Sequence, residues 1–192
     1  DFNELEAIAK VCQKHGLKFH LDGARLFNAL VETKETPLDY GRIFDSISIC
    51  ISKGLGAPVG SVLIGSKEFI WKSRRIRKVY GGGMRQAGYL AAACIYALDN
   101  HVERLRDDNA KARKLEQILL SLPYVDSVIP VQSNLVFFKL KPEMPEKTFL
   151  QKLQDQDIYA MALAPQEVRF VTHLDITDEM MQKVEKVLKE LV

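Results

Sequence analysis

The chain has 192 residues, 47% of them hydrophobic and 27% charged, and a formal net charge of +2. That balance excludes intrinsic disorder, a collagen-like repeat and a disulfide scaffold, and so small a net charge gives no case for nucleic-acid binding. Apolar runs such as residues 90–94 are far too short to span a bilayer.

The first expected element is a helix. Asn3 can cap it, Glu6 can complete a capping box, and Leu5, Ile8 and Cys12 recur at helical spacing before Gly16 supplies a stop. Residues 17–21 alternate as a strand that ends at Asp22-Gly23-Ala24-Arg25. A second helical stretch through residues 26–31 leads to a loop containing Pro37. Ile47, Ile49 and Ile51 then alternate with Ser48, Cys50 and Ser52, a strand signal, ahead of Lys53-Gly54-Leu55-Gly56. Residues 60–65 read as a third strand and residues 68–80 as a basic helix. Helix, strand, helix, strand is the order of an α/β unit with parallel strands. A long helical region is expected from Gln86 to Leu122-Pro123.

Past that point the pattern changes. Residues 125–131, 134–140 and 167–172 read as strands and residues 145–156 as a helix. Residues 177–192 form a closing helix with Met180, Val184, Val187 and Leu191 on one stripe. A boundary is expected near residue 100, between an α/β part (residues 1–100) and a smaller α+β part (residues 101–192). Cys12, Cys50 and Cys94 lie far apart without CxxC spacing, which argues against a zinc site or a disulfide framework and for buried, reduced thiols of an intracellular protein. The four histidines show no metal-ligand spacing, so no metal is expected.

In open α/β sheets ligands bind at the carboxyl ends of strands, and two chemistry-bearing residues fall there. Lys53 follows a mostly apolar strand and precedes glycines that admit close approach. A lysine partly desolvated in such a place becomes an amine nucleophile, the requirement of Schiff-base chemistry; the alternative is a solvated surface lysine. Asp22 is either a turn aspartate or an anionic partner for a protonated heteroaromatic nitrogen. The pair is the one expected around pyridoxal phosphate, whose pyridinium must stay protonated to act as an electron sink. Arg25 reaches the same ring's phenolic oxygen if the turn between them is tight, and is otherwise a surface arginine.

Residues 67–85 carry seven cations and one anion, while residues 143–192 carry ten acidic and six basic side chains. A basic cluster on a near-neutral chain suits a bounded anion site, although most of these side chains read as a solvated helix face. Within it, Gly81-Gly82-Gly83 is either a hinge or a close-approach backbone, with Arg85 entering a helix. Lys78 and Arg85, which flank it, are the phosphate-binding candidates; Arg74, Arg75 and Arg77 are left as solvated or interface charges. Arg169 lies inside the otherwise apolar run of residues 168–171, where a charge requires a protein carboxylate or a ligand carboxylate.

Four blocks occur in one order: His20-Leu21-Asp22-Gly23-Ala24-Arg25; Ser52-Lys53-Gly54-Leu55-Gly56-Ala57-Pro58-Val59-Gly60-Ser61; Gly81-Gly82-Gly83-Met84-Arg85-Gln86-Ala87-Gly88; and Arg169-Phe170-Val171-Thr172-His173-Leu174. Together they closely resemble the low-specificity L-threonine aldolases, pyridoxal-phosphate enzymes of the aspartate-aminotransferase-like fold (fold type I). The resemblance implies that Lys53 bears the cofactor, Asp22 pairs with its pyridine nitrogen and Arg25 contacts its ring oxygen. It implies further that Arg85 and Lys78 lie near the phosphate, of the neighbouring subunit, and that Arg169 binds the substrate carboxylate.

The expected reaction is retro-aldol cleavage of L-threonine or L-allo-threonine to glycine and acetaldehyde, in a cytoplasmic or mitochondrial homodimer or homotetramer with shared sites. Two alternatives stand beside it, an inactive or dimerising fragment of the same fold and a β-eliminating lyase acting on aromatic amino acids. The family's first large-domain strands, its glycine/threonine phosphate loop and its ring-stacking histidine have no counterpart here. The chain is accordingly expected to be the carboxyl-terminal part of such an enzyme. On that expectation residues 1–100 hold part of the cofactor-binding large domain, with a partial, mainly parallel sheet, and residues 101–192 the small domain.

Overall fold

Caps and glycine stops written into the sequence set many of the element boundaries in the computed structural model, which describes residues 1–191. Asp1–Glu103 form one compact unit, and the residues from Arg104 onward form a second.

In the first unit, helix α1 (Phe2–Lys14) is capped by Asp1, whose Oδ1 accepts from the amide of Asn3 at 3.0 Å, so the cap lies two residues ahead of the expected Asn3. It ends at Gly16 (φ +65°), where the amides of Gly16 and Leu17 return to the carbonyls of Gln13 and Cys12. Strand β1 (His20–Asp22) is shorter than the alternation suggests. The Asp45 carboxylate takes the amide of Phe19 at 2.9 Å and the ammonium of Lys18 at 2.7 Å, and the Asp45 amide donates to the Phe19 carbonyl at 2.9 Å, so one residue fixes 18–19 ahead of the strand. These contacts hold the Asp45 carboxyl below its ordinary range, the Lys18 bond first and the Phe19 amide next.

After α2 (Leu26–Leu30), the loop read around Pro37 is a helix, α3 (Pro37–Ile43). Thr36 and Asp39 form a reciprocal capping box, and Pro37 occupies the first turn, where its missing N–H costs nothing. Strand β2 (Ser46–Cys50) is the centre of a three-stranded sheet, with β1 parallel on one side and β3 (Ser61–Gly65) antiparallel on the other. Helix α4 (Lys67–Val79), capped by Ser66, and helix α5 (Gly88–Asn100) complete the unit. The long helix expected from Gln86 is broken: α5 stops at Asn100 and the next helix starts at Leu105. The three cysteines are free and half-buried rather than buried.

The second unit is α6 (Leu105–Leu120), β4 (Val125–Val128), β5 (Leu135–Leu140), α7 (Glu146–Gln154), β6 (Met161–Ala164), β7 (Glu167–Val171) and α8 (Asp178–Glu190). Its sheet runs β4-β5-β7-β6 and is antiparallel throughout. Strict alternation sends Val136, Phe138, Leu140, Val168 and Phe170 into a core with Leu115 and Leu119 of α6, Phe149 and Leu153 of α7, and Leu188 of α8. Strand β6 escaped the sequence reading because Met-Ala-Leu-Ala lacks alternation and all four residues are exposed. The inward stripe of α8 passes through Met181, Val184, Val187, Leu188 and Leu191; Met180, expected on it, is half-exposed. Val192, the last residue of the expected closing helix, lies outside the described residues.

Among the described residues no helix is long and apolar enough to cross a membrane.

Candidate active site

Strands β1 and β2 are parallel, with Asp22 opposite Ser48, so both leave the sheet at the same carboxyl edge. The amide of Gly23 donates to the carbonyl of Ser48 at 2.7 Å, extending the ladder one residue past Asp22. The turn is tight: Asp22 Oδ1 accepts from the amide of Ala24 at 3.2 Å, and the amide of Leu26 donates to the carbonyl of Gly23 at 3.0 Å. Arg25 is thereby set at the start of α2, half-buried. Asp22 is exposed, and its Oδ2 has no hydrogen-bond partner among the described residues. The carboxylate thus shapes the turn with one oxygen and keeps the other open.

Gly23 admits no larger residue, because a Cβ there would lie 2.9 Å from the Ser48 carbonyl oxygen, a backbone atom that cannot rotate away. Gly23→Ala is expected to lower stability by about 1–3 kcal/mol as the two strands splay. Denaturant unfolding checks this, and an unchanged midpoint would refute the clash.

The segment 51–60 that carries Lys53 is a self-bonded loop. The amides of Ile51 and Ser52 donate to the carbonyl of Gly60 at 3.1 and 3.4 Å. The amide of Ala57 returns to Ile51 at 3.1 Å, and that of Gly56 to Lys53 at 2.8 Å. Gly56 (φ +72°) and Gly60 (φ +104°) take the left-handed turns this path requires. Ile51, Leu55 and Ala57 are buried beneath the loop and Lys53 points outward, exposed, with no ion pair among the described residues. The desolvation expected from sequence is not supplied by this unit, whose apolar side chains pack below the lysine rather than over it. The carbonyl of Leu55 is held by His101 Nδ1 at 2.6 Å. Since a carbonyl only accepts, Nδ1 carries the proton. A crevice lined by residues 23–28, Ile49, Cys50, Gly54 and Leu55 brings the turn after β1 against the Lys53 loop.

The triple glycine resolves into a helix stop. The amide of Gly81 (φ +81°) donates to the carbonyl of Lys78 at 3.1 Å and that of Gly82 to Arg77 at 2.8 Å, a Schellman closure of α4. Lys78 therefore lies in the last turn of α4, exposed, with Gly83 folded against it. Arg85 is also exposed, and it does not enter a helix: Gln86 takes φ +51° and α5 begins only at Gly88. A residue in the left-handed region interrupts the run that sequence reads as continuous.

Arg169 lies on β7 in register with Phe137 of β5 and Met161 of β6, on the sheet face opposite the core. Its Nε is buried with no hydrogen-bond partner, Nη2 meets only the thioether of Met161 at 3.5 Å, and no carboxylate pairs with it among the described residues. Among the described residues the protein-carboxylate partner, one of the two readings left open by the sequence, is absent. Sequence reasoning missed Met161, whose place beside Arg169 is visible only in strand pairing.

Arg169 belongs to the second unit and the other candidates to the first.

The family of beta-eliminating lyases matches residues 1–141. A probable low-specificity L-threonine aldolase of Arabidopsis thaliana is 41% identical over 178 residues, and the low specificity L-threonine aldolase of Escherichia coli K12 is 39% identical over 173. These alignments cover 91% and 90% of this chain but 50% of each relative, so the chain spans about half the length of the curated relatives it matches. Among solved structures, the threonine aldolase of Leishmania major superposes with a TM-score of 0.83 at 26% identity, covering 99% of this chain and 56% of that one. The histidinol-phosphate aminotransferase of Clostridium acetobutylicum, at 15% identity and a TM-score of 0.74, shares the fold, covering 100% of this chain and 59% of its own. The expected fold class holds, an α/β part of the aminotransferase-like fold type I; the sheet of the first unit, expected to be mainly parallel, is mixed, because β3 pairs antiparallel with β2. With its match over residues 1–141, the chain belongs to the beta-eliminating lyase family.

Proposed function

We propose that this chain carries the lysine-bearing part of a pyridoxal-phosphate-dependent enzyme that cleaves L-threonine and L-allo-threonine to glycine and acetaldehyde. The observation that carries the reading is the parallel pairing of β1 with β2, which sends Asp22 and the Lys53 loop out of the same sheet edge. The donor set at that edge fits the cofactor: an amine with no ion pair among the described residues and a carboxylate with one open oxygen.

Lys53 supplies the amine that holds the cofactor. Asp22 Oδ2 accepts from the pyridine N–H and keeps the proton on that nitrogen, since a carboxylate in hydrogen-bond reach stabilises the cationic form. Arg25 serves the ring oxygen, and Lys78 and Arg85 offer positive charge to the phosphate, each as a charge-assisted donor. Arg169 takes the substrate carboxylate by two parallel N–H···O bonds, which fixes the substrate's orientation as well as its affinity. The bound cofactor supplies an electron sink for the pair released when the Cα–Cβ bond breaks. Assembly as a homodimer or homotetramer with shared sites, and a cytoplasmic or mitochondrial location, belong to the same reading and rest on the family resemblance.

The test is a product assay. With pyridoxal phosphate and L-threonine, glycine and acetaldehyde are expected in equal amounts. Pyruvate and ammonia from an aromatic amino acid would replace this reading by β-elimination. No product and no visible cofactor band would leave an inactive fragment of the fold.

A further inference from the structure

Beside the end of β7, three polar residues are buried that the proposed chemistry does not use: Asn134 at 2% exposure, Thr172 at 1% and Asp108 at 0%. Burying polar groups is unfavourable unless their hydrogen bonds are met, and here they are met by one another. The amide of Thr172 donates to the carbonyl of Asn134 at 3.1 Å, while Asn134 Nδ2 donates to the carbonyl of Thr172 at 2.7 Å. The two residues close a ring of reciprocal bonds one step beyond the last ladder pair, Leu135 with Val171. Thr172 Oγ1 then donates to the carbonyl of Asp108 at 2.7 Å, tying the strand end to α6. The Asp108 carboxylate is itself held by the Arg104 guanidinium one helical turn away.

Thr172 lies three residues after Arg169, one past the end of β7, buried on the core side while Arg169 is on the opposite face. Among the described residues Arg169 has no carboxylate to orient it; its guanidinium meets the Met161 sulfur, and a thioether is a weak acceptor. Its aim is therefore set by the backbone of β7, and that backbone is pinned at the Asn134–Thr172 ring. We propose that Asn134 and Thr172 are positioning residues for Arg169: through the Thr172–Asp108 bond they fix the strand that points the guanidinium at a substrate carboxylate. The inference rests on Arg169 binding that carboxylate, as proposed above. Apolar residues of similar size would fill the same space without fixing a register, so the polar choice is explained by geometry rather than by core volume.

The test uses Thr172→Val, which keeps the shape and removes the hydroxyl, with Thr172→Ser as the conservative variant that restores it. In the holoenzyme, T172V is expected to raise KM for L-threonine about tenfold with kcat within about twofold, because the loss falls on ground-state and transition-state binding alike. T172S is expected to match the parent. In an Arg169→Lys background, which itself raises KM, T172V is expected to add less than about twofold, since residues acting through one another are not additive. Glycine binding by equilibrium dialysis is expected to weaken in parallel.

A T172V variant that melts earlier but keeps its KM and glycine affinity overturns the positioning role and leaves Arg169 intact. An R169K variant with unchanged KM overturns the carboxylate reading, and this proposal with it. Asn134→Ser repeats the test from the other side of the ring. If neither T172V nor N134S folds, the ring is a folding element and the proposal falls.

Discussion

Lys53→Ala is expected to abolish the visible absorption of lysine-bound pyridoxal phosphate and to lower threonine cleavage on the order of 10³-fold or more. A side chain that both holds the reacting group and moves protons beside it contributes at least as much as a positioned acid or base. The variant isolates chemistry from folding unusually well. Lys53 is exposed, makes no ion pair among the described residues, and contributes to its loop through its carbonyl, which alanine retains. The unfolding midpoint should therefore stay within about 0.5 kcal/mol of the parent, as for a surface substitution. Small primary amines such as ethylamine are expected to restore part of the turnover by replacing the missing group. If K53A keeps both the absorption and the activity, another amine carries the cofactor, and the assignment of this loop is wrong.

The second large effect concerns stability. Phe149 is fully buried, with ring centroids 5.8 Å from Phe138, 6.0 Å from Tyr124 and 6.5 Å from Phe170. Phe149→Ala removes that contact and leaves a cavity at the centre of the second unit, at a cost of about 3–5 kcal/mol. A domain is typically stable by about 5–15 kcal/mol, so the loss takes a large part of what holds this unit together. Chemical denaturation followed by circular dichroism should show a lower midpoint with an unchanged slope, whereas a change of less than about 1 kcal/mol would contradict the packing described. Fluorescence is the wrong probe, because the single tryptophan, Trp71, lies in the first unit.

The sequence was most informative where one local rule decided the outcome. Alternating isoleucines announced β2, and Gly16 announced the end of α1. It failed where a distant partner decided. Residues 17–19 have strand periodicity, but Lys18 and Phe19 are captured by Asp45, more than twenty residues on, and the amide of Leu17 returns to Cys12. Strand β6 exists through its pairing with β7, not through any pattern of its own. Helix α3 differs: Thr36, Pro37 and Asp39 spell a start signal in plain order, and it is masked by the equally common loop meaning of proline.

The site divides the same way. Asp22 and Lys53 follow strands and precede glycines, so their positions could be read locally. Arg169 announced itself as a charge in an apolar strand. Asn134 and Thr172 did not, being ordinary polar residues whose meaning depends on meeting each other across 38 positions.

The bond from His101 to Leu55 bears on how far the lysine loop can move. The Leu55 carbonyl accepts from His101 Nδ1 across 46 residues, so the loop is tied to the residue that follows α5 as well as closed on itself. Lys53 stands two residues from that anchored carbonyl, and its amine is therefore placed by side-chain torsions turning on a fixed base rather than by travel of the backbone.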